Sequence, residues 1–359
     1  MTNSESSSST PGAPSVLQPS VLQLWVHGLF DPTRALLEEL ERPPRVPGLR
    51  RLLGRGIAGS RHGSAALTAL WQGQVPAGAL GRYGQGLSLG EQPWMRADPV
   101  HLQTGQDHAL LWDAETLDLS ADEADAILET LNTHFAPDGL HFERGTPEQW
   151  YVGVPAPVRA ETWPPEHVSG RNAFHFLPGG AEGARLRAWL NEAQMLLHDH
   201  PVNRARRNAG APELSGIWFW GAGSLESPGT LPVDTVWTED AVLGGVARLE
   251  GIDWQAVPQD FARWAACAAG RRHGVELKQG AAATRQGDPQ AWLEAVEAFD
   301  RDWLVPALDF VDRGRLQELQ VFGILGPVAH VYRPRHRWCF WRRSPNPVDW
   351  LASAAESPR

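Results

Sequence analysis

The stretch Leu190-Asn-Glu-Ala-Gln-Met-Leu-Leu-His-Asp-His-Pro-Val-Asn-Arg-Ala-Arg-Arg-Asn-Ala-Gly-Ala-Pro-Glu-Leu-Ser-Gly-Ile-Trp-Phe-Trp-Gly-Ala-Gly223 decides how this chain reads. Leu186, Trp189, Leu190, Ala193 and Leu197 recur at steps of three and four, the period of a helix with one buried face. Pro201 is expected to stop that helix, since proline lacks the backbone donor and disfavours helix at the residue before it. Ile217-Trp-Phe-Trp220 has strand composition and Gly221-Ala-Gly223 breaks it. Between them lie His200, Asn203, Arg204, Arg206 and Arg207, a dense set of anion-binding donors. Such a loop suits a phosphorylated ligand. It also suits a plain helix terminus, where histidine complements the dipole and Asn203 begins a turn.

The segment resembles the substrate-domain motif of the archaeal-type cofactor-independent phosphoglycerate mutases. The resemblance rests on His200-Pro201-Val202-Asn203, Arg204, Arg207, Gly210, Pro212 and Trp220-Gly221-Ala222-Gly223. With the lead-in at 191–198 it is similar in more detail to a bacterial family described as phosphoglycerate-mutase-like or as RpfE-type regulatory proteins. The resemblance implies an α/β fold, an alkaline-phosphatase-like core interrupted by an inserted α+β cap. It also implies substrate binding by Arg96, His200, Asn203, Arg204 and Arg207.

A chain of 359 residues has ample length for a substantial core, and 42% hydrophobic with 21% charged residues is ordinary for a globular protein. The net charge of −10 argues against general binding to nucleic acid or anionic membranes. No apolar run approaches a membrane span. Residues 1–20 are Ser- and Pro-rich and read as a disordered tail, not a signal peptide. Cys267 and Cys339 give neither a disulfide framework nor a zinc pattern, which suits the cytoplasm. Lys278 is the only lysine, so arginine here reflects composition and is weaker testimony for phosphate recognition than elsewhere.

Along the chain, Val21–Val26 reads as a strand running into His27-Gly28, and Pro47 opens a helix stopped by Gly54 and Gly56. The core is expected at 21–93 and 214–345, the cap at 94–213, and a tail at 346–359. Within the cap, strands are expected at Ala109–Trp112 and Trp150–Val152. A helix there opens on a Ser120/Glu123 capping box with the stripe Ala124, Ile127, Leu128, Leu131. After residue 217 come an apolar segment at 241–249, helices at 258–269 and 290–311, and a strand at Leu319–Phe322. The stretch 333–343 interleaves arginines with aromatics. That pattern can stack bases, but an edge strand with one aromatic face inward reads it more simply.

In the resembling family the first strand ends in a metal-gripping aspartate; here His27 stands there. Ser64 falls where the resemblance puts a phosphorylated serine, but Ala65 replaces the adjoining acid. The last strand should deliver an Asp-His pair, and this chain has Gly323-Ile-Leu-Gly326. Two-metal phosphoryl transfer needs several carboxylates and imidazoles to hold ions about 3.5–4 Å apart, and a serine without metal or base is a poor nucleophile. The chain therefore reads as a degenerate, non-catalytic relative that binds a small phosphorylated or other anionic molecule and serves a regulatory role. No metal or other cofactor is expected, no membrane, and no specified protein partner. The alternative is an active mutase or phosphatase using Ser64 and two divalent ions (Mn, Mg or Zn). Its ligands would come from His27, Asp31, His62, Asp288, Asp300 and His330.

Overall fold

Val21–Val26 is a continuous apolar run apart from Gln23, the composition of a strand buried on both faces, and it forms the centre of the main sheet. The computed structural model describes residues 19–30, 32–59, 67, 69–70, 75–105, 108–323 and 330–355. This strand, β1, pairs in parallel with β10 (Arg272–Leu277) and β11 (Glu318–Gly323). Parallel β8 (Thr235–Trp237) and β9 (Asp253–Gln255) extend the sheet beyond β10. Antiparallel β12 (His330–Tyr332) and β2 (Ile57–Ala58) finish the other edge, giving the order β2-β12-β11-β1-β10-β8-β9.

Because side chains alternate along a strand, β1 sends Leu22, Leu24 and Val26 to one face and Trp25 to the other. The first face packs on α1 (Pro47–Arg55), α7 (Pro289–Phe299) and α8 (Val305–Asp312), with Trp292, Phe299 and Leu308 fully enclosed. The second face meets α2 (Ala77–Gly84) and α6 (Ala241–Glu250). These two helices touch backbone to backbone. A Cβ on Gly84 would lie 2.0 Å from the Ala241 carbonyl oxygen, and one on Gly245 2.0 Å from that of Leu80.

A second, antiparallel sheet carries β4 (Ala109–Trp112), β3 (Trp94–Thr104), β6 (Gln149–Gly153) and β5 (His141–Thr146), with β7 (Gly216–Gly223) on β3. On it pack α3 (Ala121–Phe135) and α4 (Gly183–His198). The Ser120/Glu123 capping box forms, and both apolar stripes, Ala124/Ile127/Leu128/Leu131 and Leu186/Trp189/Leu190/Ala193/Leu197, are buried. At the centre of this sheet Asp98 accepts from Arg96, from the Trp150 amide and, at 2.6 Å, from the Trp220 indole. One carboxylate thus pins β3 to both neighbours.

Four expectations need correction. Pro201 does not end helical structure: it is the first residue of α5 (Pro201–Ala209), where its missing donor costs nothing, and Gly210 at φ 70° closes that helix. Ile217–Trp220 does not return to the core but pairs antiparallel with β3, Asp98 opposite Trp218, so the inserted unit runs to Gly223. A four-residue apolar run carries no mark of which sheet receives it. Residues 333–343 are not an edge strand; after β12 they make a 3-10 turn (Pro334–Trp338) that leaves Trp338, Phe340 and Trp341 exposed. The expected tail contains α9 (Pro347–Ala355), whose Leu351 is buried against the first face.

Asp300 sits in a π turn between α7 and α8 and accepts from the Gly48 and Leu49 amides at 2.9 and 2.7 Å, closing the N-terminus of α1. Burial pushes its carboxyl up to about 6, against the pull of those two donors. A carboxyl raised on folding contributes stability that is complete below its unfolded value of about 4. That contribution is lost as pH rises through about 6. Urea unfolding of wild type against Asp300→Asn should therefore show the difference between them changing by about 2–3 kcal/mol between pH 4 and pH 7. A difference independent of pH would refute this assignment.

Candidate functional site

Open α/β sheets place ligands beyond the carboxyl ends of their parallel strands, and this one has a cavity of about 170 Å³ there. His27 follows β1, Glu276 and Lys278 lie at the end of β10, and Asp240 follows β8 as the N-cap of α6. The inserted unit adds Trp220, Glu115, Glu166 and His167, and Arg285 closes another wall. Gly28, at φ +76°, makes the turn out of β1 possible: a Cβ there would lie 2.7 Å from the Gly280 oxygen.

The polar side chains form one network. Lys278 Nζ stands 2.8 Å from Asp240 Oδ2 and 3.9 Å from Glu276 Oε1. His27 Nε2 lies 2.7 Å from Glu276 Oε1, and the Thr238 hydroxyl donates to Oε2. Asp240 Oδ1 accepts from the Val242 and Leu243 amides. Enclosure acts to lower the Lys278 pKa, but Asp240 and Glu276 outweigh it and hold the ammonium well above its usual range. The same ammonium more than offsets burial of Asp240, whose carboxyl is held well below the usual range, and Glu276 is lowered similarly by Lys278 and His27. Across the cavity Arg285 binds Asp113 at 3.0 Å and Glu115 at 2.5 Å. Burial still pushes Asp113 up to about 6.

Among the described residues, the donor set at these strand ends does not fit a pair of divalent ions. All four carboxylate oxygens of Asp240 and Glu276 are engaged by an ammonium, an imidazole, a hydroxyl or helix amides, and Lys278 takes the position a cation would need. Among the described residues no group of three or more His, Cys, Asp or Glu side chains is arranged to hold a metal. The other metal candidates are scattered. Asp288 caps α7, Asp300 caps α1, and His330 packs edge-on against Trp350. Asp31, His62 and Ser64 lie outside the described residues.

The signature segment lies elsewhere, and none of His200, Asn203, Arg204 and Arg207 lines the cavity. His200 caps α5 through Nδ1 and meets the Thr130 hydroxyl through Nε2 at 3.0 Å. Asn203, fully buried, donates to the Leu197 and Leu214 carbonyls and accepts from the Leu214 amide. Arg206 reaches Glu123 and the Pro212 and Leu117 carbonyls; Arg207 reaches Glu213 and the His198 carbonyl. Arg204 is exposed. Arg96 is buried on Asp98, one strand from Trp220 and near enough to help hold Asp240 ionised. The sequence reading missed Asp240, Glu276, Lys278 and Arg285. The available signal was the lone lysine, two residues after a glutamate at the end of a strand. A chain that uses arginine everywhere else keeps a compact ammonium at this position.

The chain matches no protein-family model. It is 30% identical over 149 residues to a 2,3-bisphosphoglycerate-independent phosphoglycerate mutase of Methanosarcina barkeri, covering 41% of this chain and 37% of that one. A probable mutase of the same kind from Geobacter sulfurreducens is 29% identical over 174 residues, 46% and 40% of the two chains. The chain is a distant homologue of the archaeal-type cofactor-independent phosphoglycerate mutases. It spans about two-fifths of the length of these curated relatives. Among solved structures, a Pyrococcus horikoshii protein matches 89% of this chain and 88% of its own at TM-score 0.50 and 18% identity. A cofactor-independent phosphoglycerate mutase of Thermoplasma acidophilum matches 95% and 96% at TM-score 0.43 and 18% identity. The fold is a mixed α/β one with a parallel main sheet, shared with the Pyrococcus horikoshii protein.

Two outcomes follow from this geometry. Arg206→Ala should destabilise the protein by about 3 kcal/mol or more, because two buried carbonyls and Glu123 lose their donor, whereas Arg207→Ala should cost under about 0.5 kcal/mol. Urea unfolding of both variants checks this, and equal effects would contradict it. Lys278→Met should cost about 1–3 kcal/mol at pH 7, the lower part of the range for a paired charge because two-fifths of the lysine side chain is open to solvent. The penalty should shrink toward pH 4 as Asp240 and Glu276, no longer held ionised by Lys278, take up protons in the variant. A pH-independent loss would mean the ammonium does not compensate them.

Proposed function

We propose that this chain is a non-catalytic phosphoglycerate-mutase-like protein, a cytoplasmic binding and regulatory component of the RpfE type that its signature segment resembles. The observation that carries the reading is Lys278. An ammonium between Asp240 and Glu276 supplies the positive charge that divalent ions would bring, without their Lewis acidity or their open coordination positions. His27 in the place of the family's aspartate supports the same reading. The homology to the mutases supports descent from that group and leaves the activity itself to experiment.

The ligand site in this reading is the strand-end cavity. Among the described residues four carboxylates line it, Glu115, Glu166, Asp240 and Glu276, against two permanent cations, Lys278 and Arg285. Each of those cations already serves two carboxylates. Such a balance counts against the phosphorylated anion expected from the sequence, since a phosphate would meet net negative potential. Glu166, a lining carboxylate that acts on Lys278 and Arg96 through space but makes no hydrogen bond or close ion pair among the described residues, favours a small molecule that presents an amine or other donor.

Purified protein, freed of host mutase and supplied with manganese, should not interconvert 3- and 2-phosphoglycerate above background, and calorimetric titration with either should give no binding heat. Turnover abolished by Ser64→Ala would replace this reading with the active-enzyme alternative.

A further inference from the structure

Residues 333–343 stand at the other pole of the main sheet. Arg333 pairs with Glu318 at the amino end of β11, and Arg337 donates to the Asp312 carbonyl just before it. The strands β1, β10 and β11 run in parallel from this end toward the cavity. The segment is held at both ends: His336 is buried against Tyr332, and the Ser344 hydroxyl donates to the Arg50 carbonyl at 2.8 Å. On this fixed platform Trp338, Phe340 and Trp341 are 60%, 69% and 68% exposed. Arg335, Arg337, Arg342 and Arg343 surround them, all exposed, with no acidic residue between 333 and 348. The arginines are crowded. Besides burial, it is Arg335, Arg333 and Arg342 that depress the His336 imidazole.

We infer that this aromatic and arginine platform is a peripheral docking surface for an anionic lipid bilayer. Aromatic rings that protrude beside arginines have the composition of an interfacial anchor: the rings enter the headgroup boundary while guanidinium groups engage lipid phosphates and carboxylates. The whole-chain charge of −10 does not forbid it, because fields fade over about 8 Å at physiological salt and the patch meets the surface with its own charge. Single-stranded nucleic acid would want the same charges but also open ring faces on which to stack bases. Here the Arg337 guanidinium lies over Trp338, 4.8 Å from its centroid, and Phe340 and Trp341 stand edge-to-face at 78°. A bilayer boundary accepts rings at any tilt. Docked in this way, the protein presents its strand-end cavity away from the membrane. Among the described residues no helix is long and apolar enough to cross a membrane, so attachment is peripheral.

The test is flotation of the full chain with vesicles of phosphatidylcholine alone and of phosphatidylcholine with phosphatidylserine. Binding is expected only to the mixed vesicles, falling as salt is raised. Replacing Arg342 or Arg343 by Gln should weaken it about fivefold each. The triple change Trp338→Ala, Phe340→Ala, Trp341→Ala should abolish flotation while leaving circular dichroism and thermal unfolding unchanged, since these side chains are exposed. No flotation of wild type, or undiminished flotation of the triple variant, overturns the proposal. Retention of a single-stranded oligonucleotide without vesicle binding overturns it in favour of nucleic acid.

Discussion

The strand ends of this protein depend on one ammonium. Parallel strands bring their terminal side chains to a common edge, and here that edge receives Glu276 from β10 and Asp240 from the turn after β8. Two carboxylates so placed repel one another and resist burial unless a cation joins them. Lys278 does so from two residues along the same strand as Glu276, on the same side of the pleat. The consequence extends beyond charge. With Oδ2 taken by Lys278, Asp240 turns Oδ1 to the first amides of α6 and fixes where that helix begins. Helix α6 lies against α2 at glycine contacts that leave no room for adjustment, and α2 packs on β3 and β7. The position of the second sheet is thus coupled to the charge balance at the end of the first.

The second sheet has its own hub in Asp98, and its signature segment works as a brace. Asn203 satisfies the end of α4 and the start of the approach to β7 with one side chain, making three hydrogen bonds that tie Leu197 to Leu214. Arg206 does the same between α5, α3 and the loop before α3. Two of the donors in this dense set, Asn203 and Arg206, are engaged by backbone carbonyl oxygens, groups that need partners when buried.

Much of the fold was legible because periodicity and capping are local. Val21–Val26, the Ser120/Glu123 box, the two helical stripes and Pro47 at the head of α1 all formed where their residues indicated. What sequence could not carry was partner choice. Ile217–Trp220 is a strand on any reading, but its pairing with β3 is decided by Trp220 reaching Asp98, 122 residues away. Pro201 illustrates a different limit: the same residue ends one helix or opens the next, and His200 with Gly210 decides which. The site was least legible. Asp240, the Glu276/Lys278 pair and Arg285 are drawn from three separate parts of the chain with no motif among them, and their pairing exists only after the sheet has closed.

On the proposed reading, the departures from the mutase pattern are one change and not several. Two divalent ions bring a charge of +4 to a strand-end site, and an acidic shell is the natural complement. One ammonium brings +1. A shell designed for the larger charge could not stay ionised around the smaller, so acids must leave when the metals do. On that reading His27 stands where the resemblance implies an aspartate, and Gly323-Ile-Leu-Gly326 where it implies an aspartate and a histidine. The two acids that face Lys278, Asp240 and Glu276, have other donors to share the load: helix amides for one, Thr238 and His27 for the other. Lysine completes the set, in a chain with no other lysine, as a compact point charge that reaches both carboxylates from one nitrogen.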